Sequence, residues 1–478
     1  MGFVLRTWNL NRLPIFADES IYVRWSQIMR AEPSLRFLPL SDGKQPFFMW
    51  ATIPMFKIIS DPLVAARTLS ALSDAGSILL VGILAYLMFK SYRVGIVAGA
   101  IYAAIPYSVF FGRMALVDSM LAFFTLLSAT LAYYAVQHER LDIAMFAGFA
   151  FGFAWLTKFP AVFTLGLWGM IWIFVRPSVK NLFNLGVGFA ISLGMYNILR
   201  LGTEFHMLAL RNKDYVYPFL EVLKHPLDPL KPHVLASLRF FAYYLTPMGL
   251  LFALWGLVAG GKSHFQNRVI LGVFVIGVVL VESFVARGFT ARYLLFTVPF
   301  AVILAAHGIE HLIIHTQKHI LLIPAVLTVI LPSLWWHYVY HTDFSVLPLP
   351  AEERSGYLEE WTAGFGIKEA SQKIVELSNG KSVVVGSEGY FGTPFDALGL
   401  YLNSYPQIRV IGVGVWVEST DKKLINATAD NLVFLVVNSS RLHTNTPEKF
   451  GLHLVAAYPK IQQPSGEIES LLLFLYQR

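Results

Sequence analysis

The chain has 478 residues and a net charge of +7 with His neutral; 56% of its residues are hydrophobic and only 14% are charged. Soluble domains usually carry about 25% charged residues, so the composition argues against a soluble protein. The basic residues are scattered among loops and form no aromatic-interleaved patch, which argues against a nucleic-acid partner and leaves the phosphate groups of lipids or substrates. Cysteine is absent, which excludes disulfides and thiolate metal sites.

The first 67 residues are of mixed polarity and are interpreted as an extracytoplasmic loop. Residues 1–10 resemble the end of an apolar segment, so we expect a first membrane span to be truncated or missing. The apolar run 46–59 contains a proline and is too short to span a membrane comfortably. It predicts an interfacial or re-entrant helix.

Residues 68–340 predict a transmembrane helical domain. Apolar runs of spanning length recur along this region and predict a polytopic α-helical membrane protein with about ten or eleven spans. Ten of them lie near 68–89, 94–112, 118–137, 142–157, 160–176, 183–202, 238–260, 268–286, 292–314 and 319–340. Each loop predicted to be cytoplasmic carries at least one basic residue, which gives weak support to this orientation.

Residues 341–478 contain no spanning run and regain an ordinary charge content. The helical pattern at 366–379 is followed by strand-like runs at 382–386, 410–417, 431–438 and 471–476. This alternation predicts a small soluble α/β domain. Counting the spans places it with residues 1–67 on the extracytoplasmic side of the plasma membrane.

Two carboxylate positions are candidates for chemistry. Asp18 and Glu19 stand where the chain would leave a membrane span, although a solvated loop is the alternative interpretation. Asp118 begins an apolar span, five residues after Arg113, and its alternative is a helix N-cap. Ionisable groups at a membrane boundary are costly unless they are solvated or used.

Several cations are predicted on the same membrane face as these acids. Lys44 precedes the run 46–59, Lys158 separates two apolar runs, and Arg292 with Tyr293 begins another span. The alternative for each cation is snorkelling to the interface. Together, the carboxylates could accept a proton from an acceptor hydroxyl, and the cations could stabilise charge on a departing phosphate.

These segments resemble the C-type glycosyltransferases, specifically the branch of protein O-mannosyltransferases and aminoarabinose transferases. The resemblance covers roughly residues 1–315. It rests on Asp18–Glu19 with Tyr22 in DESIY, Lys44–Gln45–Pro46, Asp118 in FGRMALVDSMLAFF, Lys158 in WLTKFP, and Arg292–Tyr293 in ARYLLFTVPF.

The resemblance implies inverting sugar transfer from a polyprenyl-phosphate carrier to a protein, lipid or glycan acceptor. Asp18 would be the base or orient the acceptor, with Glu19 less important, and Asp118 would be the second acid. Lys44 and Lys158 would face the donor phosphate. The remaining substrate-binding candidates are Arg292, Tyr22, Tyr293 and Arg113.

The chain departs from the aminoarabinose branch at two positions. Ile21 stands where that branch has Arg, and Gly43 where it has an acid. These departures argue against aminoarabinose transfer to lipid A and against a metal site that uses the missing acid. No tightly bound metal or cofactor is expected, and a loosely held divalent ion beside Asp18 stays open.

Two other functions remain as alternatives. A transporter or flippase for a lipid-linked saccharide would more often show paired half-repeats and acids inside its spans. A non-catalytic scaffold that presents residues 341–478 would leave the acids and cations without a purpose. Membrane lipid is an expected partner in all three cases.

Overall fold

A computed structural model of the chain describes residues 1–262, 264–444 and 446–477, without the side chain of Phe219. The chain divides into two compact units. The first contains Met1–Leu10, Glu32–Met55 and Ala66–Tyr340, and the second contains Asn11–Ala31, Phe56–Ala65 and His341–Arg478. Parts of the predicted first loop therefore group with the C-terminal residues in one unit.

The α-helices follow one another through both units. Their bounds are α1 Gly2–Thr7, α2 Ala17–Ala31, α3 Phe47–Met55, α4 Pro62–Phe89, α5 Tyr92–Ala104, α6 Pro106–Gly112, α7 Val117–His138, α8 Leu141–Thr157, α9 Phe163–Val175, α10 Val179–Tyr196, α11 Met207–Tyr215, α12 Phe219–Lys224, α13 Leu227–Tyr244, α14 Pro247–Val258, α15 Phe265–Val285, α16 Val298–Thr316, α17 Leu322–Thr342, α18 Ala351–Arg354, α19 Ile367–Ser378, α20 Phe395–Tyr401 and α21 Lys422–Ala427.

Six helices in the described part of the chain are long and apolar enough to cross a membrane, or up to eight if each of two bent pairs is one span. The six are Pro62–Phe89, Val117–His138, Val179–Leu201, Phe265–Val285, Ala291–Thr316 and His319–Thr342. Two shorter apolar helices, Leu141–Thr157 and Phe159–Val175, coincide with predicted spans. A mostly helical membrane fold is therefore present, while the count of ten or eleven spans stays a prediction.

Two predicted spans are not continuous helices. The predicted span 94–112 is divided into α5 and α6, which meet at 52°, and 238–260 is divided between α13 and α14, which meet at 114°. Proline stands at the first position of α6 and of α14, where it cannot continue a preceding helix. The spans were located by hydropathy alone, which did not predict the breaks at Pro106 and Pro247.

Small residues let helices of the first unit approach closely. A side chain at Gly148 in α8 would collide with the backbone of Gly188 in α10, and one at Gly308 in α16 would collide with that of Phe252 in α14. Helices in a membrane associate through such close packing, because apolar burial offers little gain in lipid. These contacts pack α8 against α10 and α16 against α14.

The second unit contains a five-stranded sheet. The strands are β1 Ile15–Phe16, β2 Ala363–Gly364, β3 Val383–Ser387, β4 Ile408–Gly412, β5 Leu432–Asn438, β6 Leu452–Pro459 and β7 Ser470–Tyr476. The sheet has the order β4-β3-β5-β7-β6, while β1 and β2 form a separate antiparallel pair. The pairs β3–β4 and β3–β5 are parallel, and the two pairs that β7 makes are antiparallel.

The core of this sheet follows from its apolar, often β-branched strands. Val384, Val433 and Leu435 are among its buried residues, together with Phe474 of β7. Helix α19 buries Ile367, Ala370 and Ile374, which recur at helical spacing on one face. The sheet and helix expected in residues 341–478 are present, and β2, β6, α18, α20 and α21 are further elements there.

Candidate functional site

Asp118 and Lys158 form an ion pair in the first unit. Asp118 lies in the first turn of α7, and Lys158 follows the end of α8 in an extended conformation. Lys158 Nζ donates to Asp118 Oδ1 over 2.7 Å. The N-cap of α7 is Leu116, so the carboxylate of Asp118 pairs with a cation and does not cap its helix.

This pair is buried on the acidic side and more open on the basic side. The side chain of Asp118 is 3% exposed and that of Lys158 is 23% exposed. In the described part of the chain, Asp118 Oδ2 is buried and has no hydrogen-bond partner. A buried acceptor of this kind is costly, so a hydroxyl donor from a bound substrate would be stabilised there.

Tyr293 and Arg292 lie beside this pair. Lys158 Nζ is 4.3 Å from the centroid of the Tyr293 ring, and Arg292 Cζ is 5.5 Å from the same centroid. Both residues lie in the 3-10 helix Ala291–Thr297, whose start accepts a hydrogen bond of 2.7 Å from the Tyr107 hydroxyl. Four predicted site residues, Asp118, Lys158, Arg292 and Tyr293, are thereby brought together.

Glu282 is a further acid near this group that we did not predict. It is half-buried near the end of α15 and interacts favourably with the charge of Lys158. Its signal in the sequence was a lone carboxylate in the apolar run VVLVESFV. An ionisable residue inside a span is by itself a reason to expect function.

Lys44 belongs to a different cluster of charges. Its Nζ lies 3.0 Å from Asp42, and Arg211 donates to the other oxygen of Asp42 over 2.8 Å. The ion pair with Asp42 raises the pKa of the Arg211 guanidinium. An acid is thus present two positions before Lys44, although Gly43 occupies the position next to it.

Arg113 is held by the backbone of the N-terminal segment. Its guanidinium donates to the carbonyls of Leu5, Trp8 and Asn9 over 2.6 to 2.8 Å. The group also lies 5.1 Å from the ring of Tyr340. Through these contacts Arg113 holds the N-terminal segment in place. Its contact with substrate stays a prediction.

Asp18, Glu19 and Tyr22 lie in α2, in the second unit. Glu19 is fully buried, and its Oε2 accepts a hydrogen bond of 2.9 Å from the backbone N–H of Phe16, which stabilises the start of the helix. Tyr22 is also buried, whereas Asp18 is half-buried. The two neighbouring acids therefore have different surroundings, as their divergent directions along a helix require.

No group of three or more His, Asp or Glu side chains is placed to hold a metal ion in residues 1–262, 264–444 and 446–477. The loosely held divalent ion beside Asp18 would take further ligands from the donor phosphate, and it stays a prediction.

Residues 38–194 match the family model described as dolichyl-phosphate-mannose-protein mannosyltransferase. This segment contains Lys44, Asp118 and Lys158. The resemblance predicted from the sequence is confirmed. No curated protein sequence matches the chain.

Solved glycosyltransferase structures share this fold. ArnT from Cupriavidus metallidurans in the apo state has a TM-score of 0.64 and 14% identity, over 99% of this chain and 96% of that one. The same protein bound to undecaprenyl phosphate has a TM-score of 0.61 and 15% identity, with the same coverage of both chains. The oligosaccharyltransferase of Archaeoglobus fulgidus in the apo form has a TM-score of 0.50 and 13% identity, over 91% of this chain and 68% of that one. At these identities the likeness establishes the fold.

Proposed function

We propose that the chain is an integral membrane glycosyltransferase. It moves a sugar from a polyprenyl-phosphate carrier to a protein, lipid or glycan acceptor on the extracytoplasmic face of the plasma membrane, with inversion. The observation that supports this best is the buried Asp118–Lys158 pair, at 2.7 Å, with Tyr293 and Arg292 beside it. The fold shared with an undecaprenyl-phosphate-bound transferase adds support for the donor.

The cations of this group are suited to the departing phosphate. The bond between the anomeric carbon and the phosphate oxygen breaks, and its electron pair leaves with the polyprenyl phosphate. Lys158 and Arg292 offset the negative charge that grows on that oxygen. An ammonium has three N–H donors, so Lys158 can bind Asp118 and a phosphate oxygen together.

Asp118 has a positioning role in this proposal. Its carboxylate holds the ammonium of Lys158 in one direction and favours its charged form. The second oxygen of Asp118 is left to accept from a sugar hydroxyl. Removal of the carboxylate would therefore affect both the orientation of the cation and the binding of the sugar.

The acceptor hydroxyl attacks the anomeric carbon from the face opposite the phosphate, which inverts the configuration. Its proton passes to a carboxylate, and Asp18 is the residue that the resemblance selects. Half-buried at the start of α2, Asp18 is more accessible than the fully buried Glu19. The products are the new glycosidic bond, the released polyprenyl phosphate and a proton held by the carboxylate.

The proposal is tested with the purified chain, a panel of polyprenyl-phosphate sugars and a measurement of released polyprenyl phosphate. We expect Lys158→Ala to lower kcat/KM by roughly 10- to 1000-fold, the scale of losing one charge-stabilising contact. Lys158→Arg should restore only part, because a planar fork replaces a compact ammonium. Lys180, whose side chain is 63% exposed and pairs with Glu139, is the control, and Lys180→Ala should behave as wild type.

Normal sugar transfer by Lys158→Ala would contradict the assignment of the phosphate site. Movement of an intact lipid-linked saccharide across vesicles, with no release of polyprenyl phosphate from any donor, would instead indicate a transporter.

A further inference from the structure

The carboxyl ends of β3 and β5 form a switch point in the sheet of the second unit. The chain passes from β3 to β4 on one side and then to β5 on the other side. In open sheets of parallel strands, ligands bind in the crevice at such a point, beyond the carboxyl ends of the strands. Glu388 directly follows β3, and Asn438 is the last residue of β5.

Glu388 and Asn438 make a buried polar floor at this point. Glu388 accepts hydrogen bonds from the backbone N–H of Asn438 over 2.6 Å and from its side-chain amide over 2.7 Å. The two residues are 4% and 1% exposed. Burial raises the pKa of Glu388 to about 7, so its carboxyl can both donate and accept near neutral pH.

The side-chain oxygen of Asn438 is the unusual atom of this floor. In the described part of the chain it is buried and has no hydrogen-bond partner, because the amide nitrogen is the atom that faces Glu388. Leaving such an acceptor unsatisfied costs about 1–3 kcal/mol. A hydroxyl donor would satisfy it.

Exposed aromatic rings stand at the same edge of the sheet. Trp416 is 52% exposed and packs against Arg441, whose Cζ is 4.3 Å from its ring centroid, and against the ring of His443, whose centroid is 4.6 Å away. Arg441 is also 5.0 Å from the ring of Trp361, and it interacts favourably with Glu388. The polar floor and the aromatic rings are therefore one connected group.

Two more exposed aromatic residues, Tyr390 and Phe391, follow Glu388 in the chain. Gly389, between them and Glu388, has a φ of +69° and donates its N–H to Gly414 over 2.7 Å, two residues before Trp416. This bond ties the loop after β3 to the loop that carries Trp416. Grouped exposed aromatic side chains usually mark a binding surface.

We infer that this edge of the sheet is a carbohydrate-binding site that receives the acceptor glycan. A sugar ring offers apolar C–H faces that stack on an aromatic ring, as on Trp416, and hydroxyl groups that suit the buried oxygens of Asn438 and Glu388. An acyl chain could not supply those hydrogen bonds, and a phosphate that has lost its protons has no hydrogen to donate to the buried oxygen of Asn438. The assignment of the ligand as an acceptor rests on the proposed function.

The site belongs to the unit that carries the proposed base. Ala17, next to Asp18, donates its backbone N–H to Thr362 over 3.1 Å, and Thr393 donates to the carbonyl of Trp361 over 3.0 Å. Hydrogen bonds thus connect the start of α2 to the segment of Trp361. An acceptor held here would be positioned by the same unit as the base that activates it.

The experiment is saturation-transfer NMR on the full chain in lipid nanodiscs, with methyl mannoside, methyl glucoside, methyl galactoside and their linear trisaccharides as probes. Maltoside detergents must be absent, because their sugar head groups would compete. We expect transfer to the ring protons of at least one probe. Trp416→Ala should weaken binding by roughly 3- to 10-fold, the scale of one aromatic stacking contact, and Trp416→Phe should keep most of it.

Tyr405→Ala is the matched control. Tyr405 is an aromatic residue with 37% exposure, and it precedes β4, at the opposite, amino end of the parallel strands. Equal binding by the Trp416→Ala and Tyr405→Ala proteins would overturn the inference, as would the absence of transfer to every probe in wild type. Sugar binding does not require turnover, so a failure of this inference is distinct from a failure to release polyprenyl phosphate.

Discussion

At the scale of residues, Asp18 and Glu19 are neighbours with different burial, and Asp18 is the proposed base. Asp18→Asn keeps the shape of the side chain and removes the proton acceptor, so transfer should fall by about 10²- to 10⁴-fold, as for loss of a general base. Glu19→Gln keeps an oxygen that can accept from Phe16, and it should retain most activity. The measurement is the transfer rate, with donor binding as the check on folding. A folded Asp18→Asn protein within a few-fold of wild type would sink the assignment.

Glu388 makes the stability of the second unit depend on pH. Its pKa is raised by burial from about 4.5 to about 7, so between these values the folded state binds more protons than the unfolded state. Stability should therefore fall as the pH rises from about 4.5 to 7. We therefore expect the hydrogen-exchange protection of β3 and β5 in wild type to decline over this pH range. The comparison at each pH is with Glu388→Gln, which lacks this titration. Parallel profiles for the two proteins would contradict this origin.

The residues of the candidate site could be selected from the sequence, but their contacts could not. Lys158 and Asp118 are far apart in the chain, and no periodicity relates them. Each was selected as a charge at the end of an apolar run, and their pairing depends on how α7 and α8 pack. Glu282 had the same kind of signal inside a span, and it was missed because only the span ends were searched.

At the scale of elements, α1 and α4 are joined by a buried ion pair. Arg6 and Asp74 are fully buried at 2.5 Å, and Asp74 also accepts from the Tyr102 hydroxyl over 2.7 Å. Asp74→Ala would leave an uncompensated buried cation, which should cost about 3–5 kcal/mol. Thermal unfolding in nanodiscs measures this loss.

The control for Asp74 is an exposed pair of the same chemistry. Asp142 lies 2.6 Å from Arg140, and both side chains are more than half exposed. Asp142→Ala should change stability little, because exposed ion pairs contribute about 0–1 kcal/mol. Equal losses from Asp74→Ala and Asp142→Ala would show that the Arg6 pair does not stabilise the helices.

Strands were predictable from the sequence where burial of apolar side chains alone determines them. The strands β3, β5 and β7 are continuous apolar runs, and their prediction from the sequence agrees with the structure. Strand β6, Leu452–Pro459, was missed because it is half exposed and contains His453 and a proline. Its pairing with β7 depends on a neighbour distant in sequence, which a local pattern does not contain.

At the scale of the whole molecule, labelling of single cysteines tests the predicted orientation in the membrane. Counting spans predicts that residues 1–67 and 341–478 share the extracytoplasmic side, with the 176–180 loop inside. Ser41, Ser419 and Lys180 are all exposed, and the chain contains no cysteine. Ser41→Cys and Ser419→Cys should react with an impermeant thiol reagent on intact cells, and Lys180→Cys only after permeabilisation. Reaction at Ser41→Cys but not at Ser419→Cys would exclude the predicted sidedness.

The division of the chain into units was harder to predict than its fold class. Composition alone distinguishes an apolar region from the polar residues 341–478. The grouping of Asn11–Ala31 with His341–Arg478 depends instead on packing between α2 and α20 and on the pair β1–β2. Arg24 of α2 shows this packing, since it donates to Asn403 over 2.6 Å.

This discontinuous unit has a consequence for biosynthesis. The strand β1 pairs Phe16 with Ala363, near the other end of the chain. Ribosomes add roughly 5–20 residues per second, so β1 waits tens of seconds for its partner while the membrane helices are inserted. The helix that carries Asp18 can reach its final environment only after the last third of the chain has been made. A chain terminated before residue 341 would therefore lack the partners that hold the helix of the proposed base Asp18 in place.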